Sequence, residues 1–180
     1  MKIHDALIAE LIKLDKHGKA TGDIIKIVGS SKIKWQLEEL VYWRGHYQQV
    51  MGTYIEMSPD ILATRLRPTS EEMAQVAIEL ETDVDFDFGK SLRQIKNYKN
   101  KFADVRVIIP AGKEYERFAP LYKNEGFRVW FWSAIRIWQC LRCGNITEKE
   151  GSIQPKCKKC NRYTKHELIN LIGVKFEEFL

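Results

Sequence analysis

Apolar residues at the start of the chain recur at helical spacing. Ile3, Leu7, Ile8, Leu11 and Ile12 share one face, and His17-Gly18-Lys19 ends the run. A second short helix is expected over 21–28, with Thr21 as N-cap and Gly29 as its stop. A third is expected over 31–42, carrying Ile33, Leu37, Leu40 and Val41 on one side with Glu38 beside them. Three such helices suit a helix-turn-helix or a packing cap on the domain that follows.

The pattern then shortens to a period of two. Extended runs are predicted over 47–57, 59–66 and 75–84, separated by Ser58-Pro59 and by the polar stretch 67–72. A helix over 91–102, the strongly apolar strand 104–111, a helix over 114–126 interrupted or kinked near Pro120, and a last strand over 127–134 complete the series. This order predicts an α/β fold: a mixed sheet flanked by helices, its later strands joined by crossovers. The expected organisation is an N-terminal helical extension (1–30), the core (31–134), and a cysteine module with a C-terminal tail (135–180).

Composition narrows the setting. With 180 residues and 44% hydrophobic content, the chain can bury one ordinary core plus a small accessory. No run is long and apolar enough for a membrane span, and Met1 leads into an amphipathic segment rather than a signal peptide, so a cytoplasmic protein is expected. A net charge of +5 favours polyanions only mildly, but its distribution is uneven. Residues 68–89 hold seven acidic and no basic side chains, whereas 90–106 hold six basic ones against Asp104. A cation site facing a phosphate backbone would need that juxtaposition; a solvated turn beside a basic helix face would also produce it.

All four cysteines fall in two CxxC pairs, Cys140/Cys143 and Cys157/Cys160, thirteen residues apart, with Gly144 and Asn161 following the pairs. Two such knuckles offer four thiolates to a tetrahedral Zn²⁺, which predicts a closed, structural zinc ribbon. Its loops are basic (Arg142, Lys156, Lys158, Lys159, Arg162, Lys165), which suits nucleic-acid contact, while docking to another protein is an alternative use. Trp130, Trp132 and Trp138 lie near the junction and are expected to pack the ribbon onto the core; exposed ones could stack on bases.

On a strand over 76–83, Glu79, Glu81 and Asp83 would point to one face, where carboxylates repel unless a cation compensates. An edge strand facing solvent shows the same alternation. Pro59-Asp60 opens the preceding strand, and if the two strands pair, Asp60 reaches the same place as Glu79. Pro59-Asp60 followed by Glu79-Leu80-Glu81 resembles the PD-(D/E)XK nuclease superfamily, which includes restriction endonucleases and archaeal Holliday-junction resolvases. Gln94-Ile-Lys-Asn-Tyr98 is similar to the QxxxY motif of RecB-type members, whose amide and phenol can orient a phosphate or strand.

The resemblance implies a restriction-endonuclease-like core and a metal-dependent DNA endonuclease or junction resolvase. Asp60 and Glu79 would hold Mg²⁺ or Mn²⁺, assisted by Glu38 from the first core helix, and Lys90, Arg93, Lys96 and Lys99 would meet DNA phosphates. Such enzymes often act as homodimers. Glu81 departs from the pattern, standing where the family carries a lysine; it would take a proton from the attacking water or add a metal ligand, with Lys90 or Lys96 supplying the missing charge. The alternative is a non-catalytic nucleic-acid-binding or transcription-associated adaptor on a degenerate nuclease fold. Asp83-x-Asp85-x-Asp87 fails as an EF-hand, because Phe88 and Gln94 occupy its glycine and glutamate positions. The four histidines, His4, His17, His46 and His166, show no ligand spacing, and no phosphate-binding glycine loop is present.

Overall fold

The computed structural model describes residues 2–13, 16, 22–28, 35–36, 59–66, 73–102, 104–151 and 153–180. Its elements run α1 (Ile3–Leu11), α2 (Ile24–Val28), β1 (Trp35–Gln36), β2 (Ile61–Leu66), β3 (Met73–Leu80), α3 (Phe88–Lys99), β4 (Asp104–Pro110), α4 (Lys113–Glu116), α5 (Ala119–Asn124), β5 (Arg128–Cys140), β6 (Ile146–Glu150) and β7 (His166–Glu178). The mixed α/β architecture is as expected. Seven strands form one sheet in the order β1-β2-β3-β4-β5-β6, with β7 on the other side of β5. The pairs β3–β4 and β4–β5 are parallel; the rest are antiparallel.

Period-two alternation divides β3 between two apolar layers. Val76, Ile78 and Leu80 join Leu7 and Leu11 of α1, Ile24 and Ile27 of α2, and Trp130, Trp132 and Trp138 of β5. Ala77 faces the other layer, with Ile95 and Tyr98 of α3, Val107 of β4, and Ala119 and Tyr122 of α5. Helices therefore cover both faces, which is why β4 is apolar and buried along nearly its whole length. The tryptophans are buried in the first layer, as a packing role requires. No helix among the described residues is long and apolar enough to cross a membrane.

Three elements differ from the sequence pattern. Trp35 and Gln36, expected in a helix over 31–42, pair instead with Arg65 and Thr64 on the open edge of β2, whose backbone groups need partners. The strand expected to reach residue 84 stops at Leu80, because the chain turns away toward α3 and Asp83 is drawn to the buried Arg136 guanidinium. The helix expected over 114–126 is interrupted near Pro120 as its sequence indicates, dividing into α4 and α5. The last core strand runs on through residues 134 and 135 to Cys140, and the C-terminal residues form the thirteen-residue β7 along its whole length. Glu38, the strand expected over 47–57 and the caps Thr21 and Gly29 lie outside the described residues.

Ile78 and Ile108 are fully buried between the helices and the tryptophans. Ile108→Ala is expected to cost about 2–5 kcal/mol, read as a lower urea midpoint with an unchanged slope.

Candidate active site

Two short devices set the stage for the acidic residues. Asp87 caps α3, its carboxylate accepting from the Lys90 amide at 2.9 Å, so the acidic run ends as a helix start. The β2–β3 register pairs Ile61 with Ile78, which brings Asp60, one residue earlier, opposite Glu79. Asp60 Oδ2 accepts from the Leu80 amide at 2.9 Å and locks the two strand ends together.

Glu79 projects from β3 into the layer under α3 and is 7% exposed. Gln94 and Tyr98 are one helical turn apart and meet it together. Gln94 Nε2 donates to Glu79 Oε1 at 2.6 Å and lies 2.8 Å from the Tyr98 hydroxyl, which donates to Glu79 Oε2 at 3.2 Å. The sequence-predicted Asp60, Glu79, Gln94 and Tyr98 thus form one connected group. Burial, then Asp60 and then Glu81 push the Glu79 carboxyl from its ordinary 4.5 up to about 9. Burial and the Glu79 charge likewise raise Tyr98.

Glu81 lies just past β3 with its backbone held on two sides. Its amide donates to the Ile108 carbonyl at 2.8 Å, and the Trp132 indole donates to its carbonyl at 2.8 Å. Burial raises its carboxyl; a hydrogen bond from Ser91, itself 2.8 Å from the Tyr122 hydroxyl, and the nearby charge of Lys90 act in the opposite direction. Asp83 does not join the cluster, since its carboxylate receives Arg136 Nη2 at 2.5 and 2.6 Å.

The basic residues of α3 divide. Lys90 and Arg93 are exposed near the helix start, and Lys90 is close enough to act on Glu81. Lys96 pairs with Glu125 at 2.8 Å, and Lys99 donates to the Glu125 carbonyl at 2.8 Å while covering the Phe127 ring. Of the two lysines considered as the missing positive charge, Lys90 is the one whose charge acts on Glu81, while Lys96 is paired with Glu125.

The sequence passed over His4. Helix α1 brings its Nε2 to 3.0 Å from Asp60 Oδ1, adding a fifth side chain to the group of Asp60, Glu79, Gln94 and Tyr98. No motif signals this, because the two residues meet only through tertiary packing. Ser91 and Trp132 were equally unannounced at this site.

At the other end of β5 the four cysteines lie together, unpaired, their sulfurs all within 4.8 Å of one another, so they could hold a metal ion. The spacings Cys143–Cys157 (3.6 Å) and Cys140–Cys160 (4.0 Å) bracket the ~3.8 Å edge of a tetrahedron with 2.3 Å metal–sulfur bonds. Gly144 (φ +70°) and Asn161 (φ +51°) take the left-handed conformation just after each pair. A hydrogen bond with Thr164 lowers the Cys140 thiol to about 6, while the neighbouring cysteines push Cys160 up to about 12. Crowded sulfurs shed all their protons only when a cation balances them. Among the described residues these cysteines are the only three or more metal-ligating side chains so closely spaced; Asp60, Glu79 and Glu81 do not bring three oxygens within that distance.

No protein-family model matches the sequence, and no curated protein matches it.

Two measurements follow from these geometries. Because Glu79 is raised on folding, the folded chain keeps a proton that the unfolded chain releases between pH ~4.5 and ~9, so stability falls as pH rises through that window, by at most about 1.4 kcal/mol per pH unit. Urea unfolding in cation-free buffer is expected to show a shallower decline for Glu79→Gln. Metal analysis is expected to find one ion per purified chain, lost in Cys157→Ser.

Proposed function

We propose that the chain is a PD-(D/E)XK-type, metal-dependent endonuclease acting on DNA, with a zinc ribbon as its C-terminal module. The observation that carries the reading is the meeting of Asp60 and Glu79 at the paired ends of β2 and β3, with Gln94 and Tyr98 both spent on Glu79. A purely structural pair of carboxylates has no need to be buried beside a third, and burial together with the charges of Asp60 and Glu81 is what raises Glu79.

The donor set fits a hard divalent cation in atom type, since Asp60, Glu79 and Glu81 offer carboxylate oxygens close enough for Asp60 and Glu81 to raise Glu79. Asp60 and Glu79 would hold Mg²⁺ or Mn²⁺, which when bound polarises a phosphoryl group and makes water acidic. Gln94 and Tyr98 hold the Glu79 side chain in one rotamer and shield it from water. Glu81, with its proton affinity increased by burial, accepts the proton of the attacking water, and Ser91 orients that carboxylate. Lys90 balances the charge beside Glu81 in place of the family's motif lysine, and with Arg93 meets flanking phosphates. His4 fixes Asp60 from α1. The four cysteines would hold Zn²⁺, whose role in a closed four-sulfur site is structural.

The second reading is a nucleic-acid-binding adaptor without cleavage, favoured by Glu81 at the motif's lysine position. Labelled linear, single-stranded, flap and four-way-junction DNA, incubated with Mg²⁺ or Mn²⁺, separates the two. Cleavage is expected, with Asp60→Ala and Glu79→Ala each losing at least about 100-fold and Lys90→Ala about tenfold. Salt-sensitive binding without cutting on every substrate would select the adaptor.

A further inference from the structure

Backbone contacts draw the two cysteine knuckles together at one end of the molecule. The Leu141 amide donates to the Lys165 carbonyl at 3.0 Å, and the Cys157 amide to the Arg162 carbonyl at 3.1 Å. With the four sulfurs all within 4.8 Å of one another, residues 140–144 and 156–165 form one compact tip. The tip carries Arg142, Lys156, Lys158, Lys159, Arg162 and Lys165 and no acidic residue. All six are exposed, and none forms an ion pair with another described residue. Acidic residues reappear only on the strands leading away from the tip, at Glu148, Glu150 and Glu167. Like charges gathered this closely repel one another, and a polyanion relieves that repulsion.

Tyr163 lies among these cations and is 85% exposed, the one aromatic side chain among the exposed large apolar residues of the described chain. An acidic peptide would use the cations but has no use for a bare ring. A single polynucleotide strand uses both, since its phosphates meet lysine and arginine while an unstacked base covers the tyrosine. A duplex keeps its base faces inside the stack and offers the tip phosphates alone. From Trp132, whose indole holds the Glu81 carbonyl, β5 extends about 26 Å to Cys140, so this surface is separate from the carboxylate group.

We propose that the tip of the cysteine module binds a single polynucleotide strand, with a base stacked on Tyr163 and the neighbouring phosphates held by the lysines and arginines around it. This surface goes beyond the nuclease reading and needs nothing from Asp60 or Glu79. DNA and RNA strands share the chemistry that it recognises.

Fluorescence anisotropy of the full chain as purified, without added Mg²⁺ or chelator, tests this with labelled oligo(dT), oligo(U) and a DNA duplex, each of about 20 nucleotides per strand. Single strands are expected to bind about tenfold or more tightly than the duplex. Tyr163→Ala is expected to lose about tenfold and Tyr163→Phe to keep the native affinity, and at so exposed a position neither change disturbs the fold. Lys158→Ala combined with Lys159→Ala is expected to flatten the slope of log affinity against log salt by about 1.4, since each strand phosphate neutralised contributes about 0.7. Binding of either strand supports the inference, and the tighter of the two names its source. Duplex binding as tight as that of the single strands, full affinity in Tyr163→Ala, or no binding up to about 100 µM would overturn it. So would displacement of the strand by polyglutamate or phosphatidylserine vesicles as effective as that by unlabelled oligo(dT). Strand binding without DNA cleavage would count against the nuclease reading alone; cleavage with no strand binding at the tip would count against this surface alone.

Discussion

The candidate site depends on a carboxylate held largely out of water. Glu79 sits on β3 beneath α3, and burying a charge there is tolerable only with hydrogen bonds, a proton or a cation. Gln94 and Tyr98 supply the hydrogen bonds, and that requirement fixes how α3 is rotated about its axis as it crosses the sheet. Asp60 supplies a second negative charge rather than relief, while its bond to the Leu80 amide ties the ends of β2 and β3. The pair is thus built into the sheet and not displayed on a mobile loop, which is how a site keeps reactive geometry when its charges repel.

The same sheet links this site to the cysteine cluster. β5 begins beside β4 in the core and ends at Cys140, and β7 follows it back from His166 to Glu178. The cysteine module is therefore the far end of two core strands as well as a pair of knuckles. Trp130, Trp132 and Trp138 line the first apolar layer along that path, so packing at the core and at the module is continuous. An ion held by the four sulfurs would pin β5 at its end, and strain there would be felt near Trp132, which bonds Glu81.

Buried arginines show a different balance. Arg136 satisfies Asp83 and removes it from the acidic group, although the sequence pattern had placed Asp83 with Glu79 and Glu81. An ion pair this deep is weak evidence for stability, but it is strong in fixing where the chain goes after β3. It turns the 82–87 segment toward the capping Asp87, from which α3 starts.

Much of this was legible in the residues alone. The extended runs 59–66 and 75–84, the latter found at 73–80, the apolar run of β4, the break near Pro120 and the two CxxC pairs each encode local geometry, so the α/β fold and the cysteine cluster could be read from spacing. Gln94 and Tyr98 could be placed on one helix face, but their partner could not, because i and i+4 fix a face and not what lies opposite it. Contacts between distant segments were decided by packing: His4 against Asp60, Trp132 against Glu81, Arg136 against Asp83, and β7 along β5. None has a local signature, since each joins residues whose separation in sequence carries no period. Sequence by itself determined which side chains share a face; only the tertiary structure decided which faces meet, because burial of apolar area drives the layers together and is indifferent to the order in which they occur along the chain.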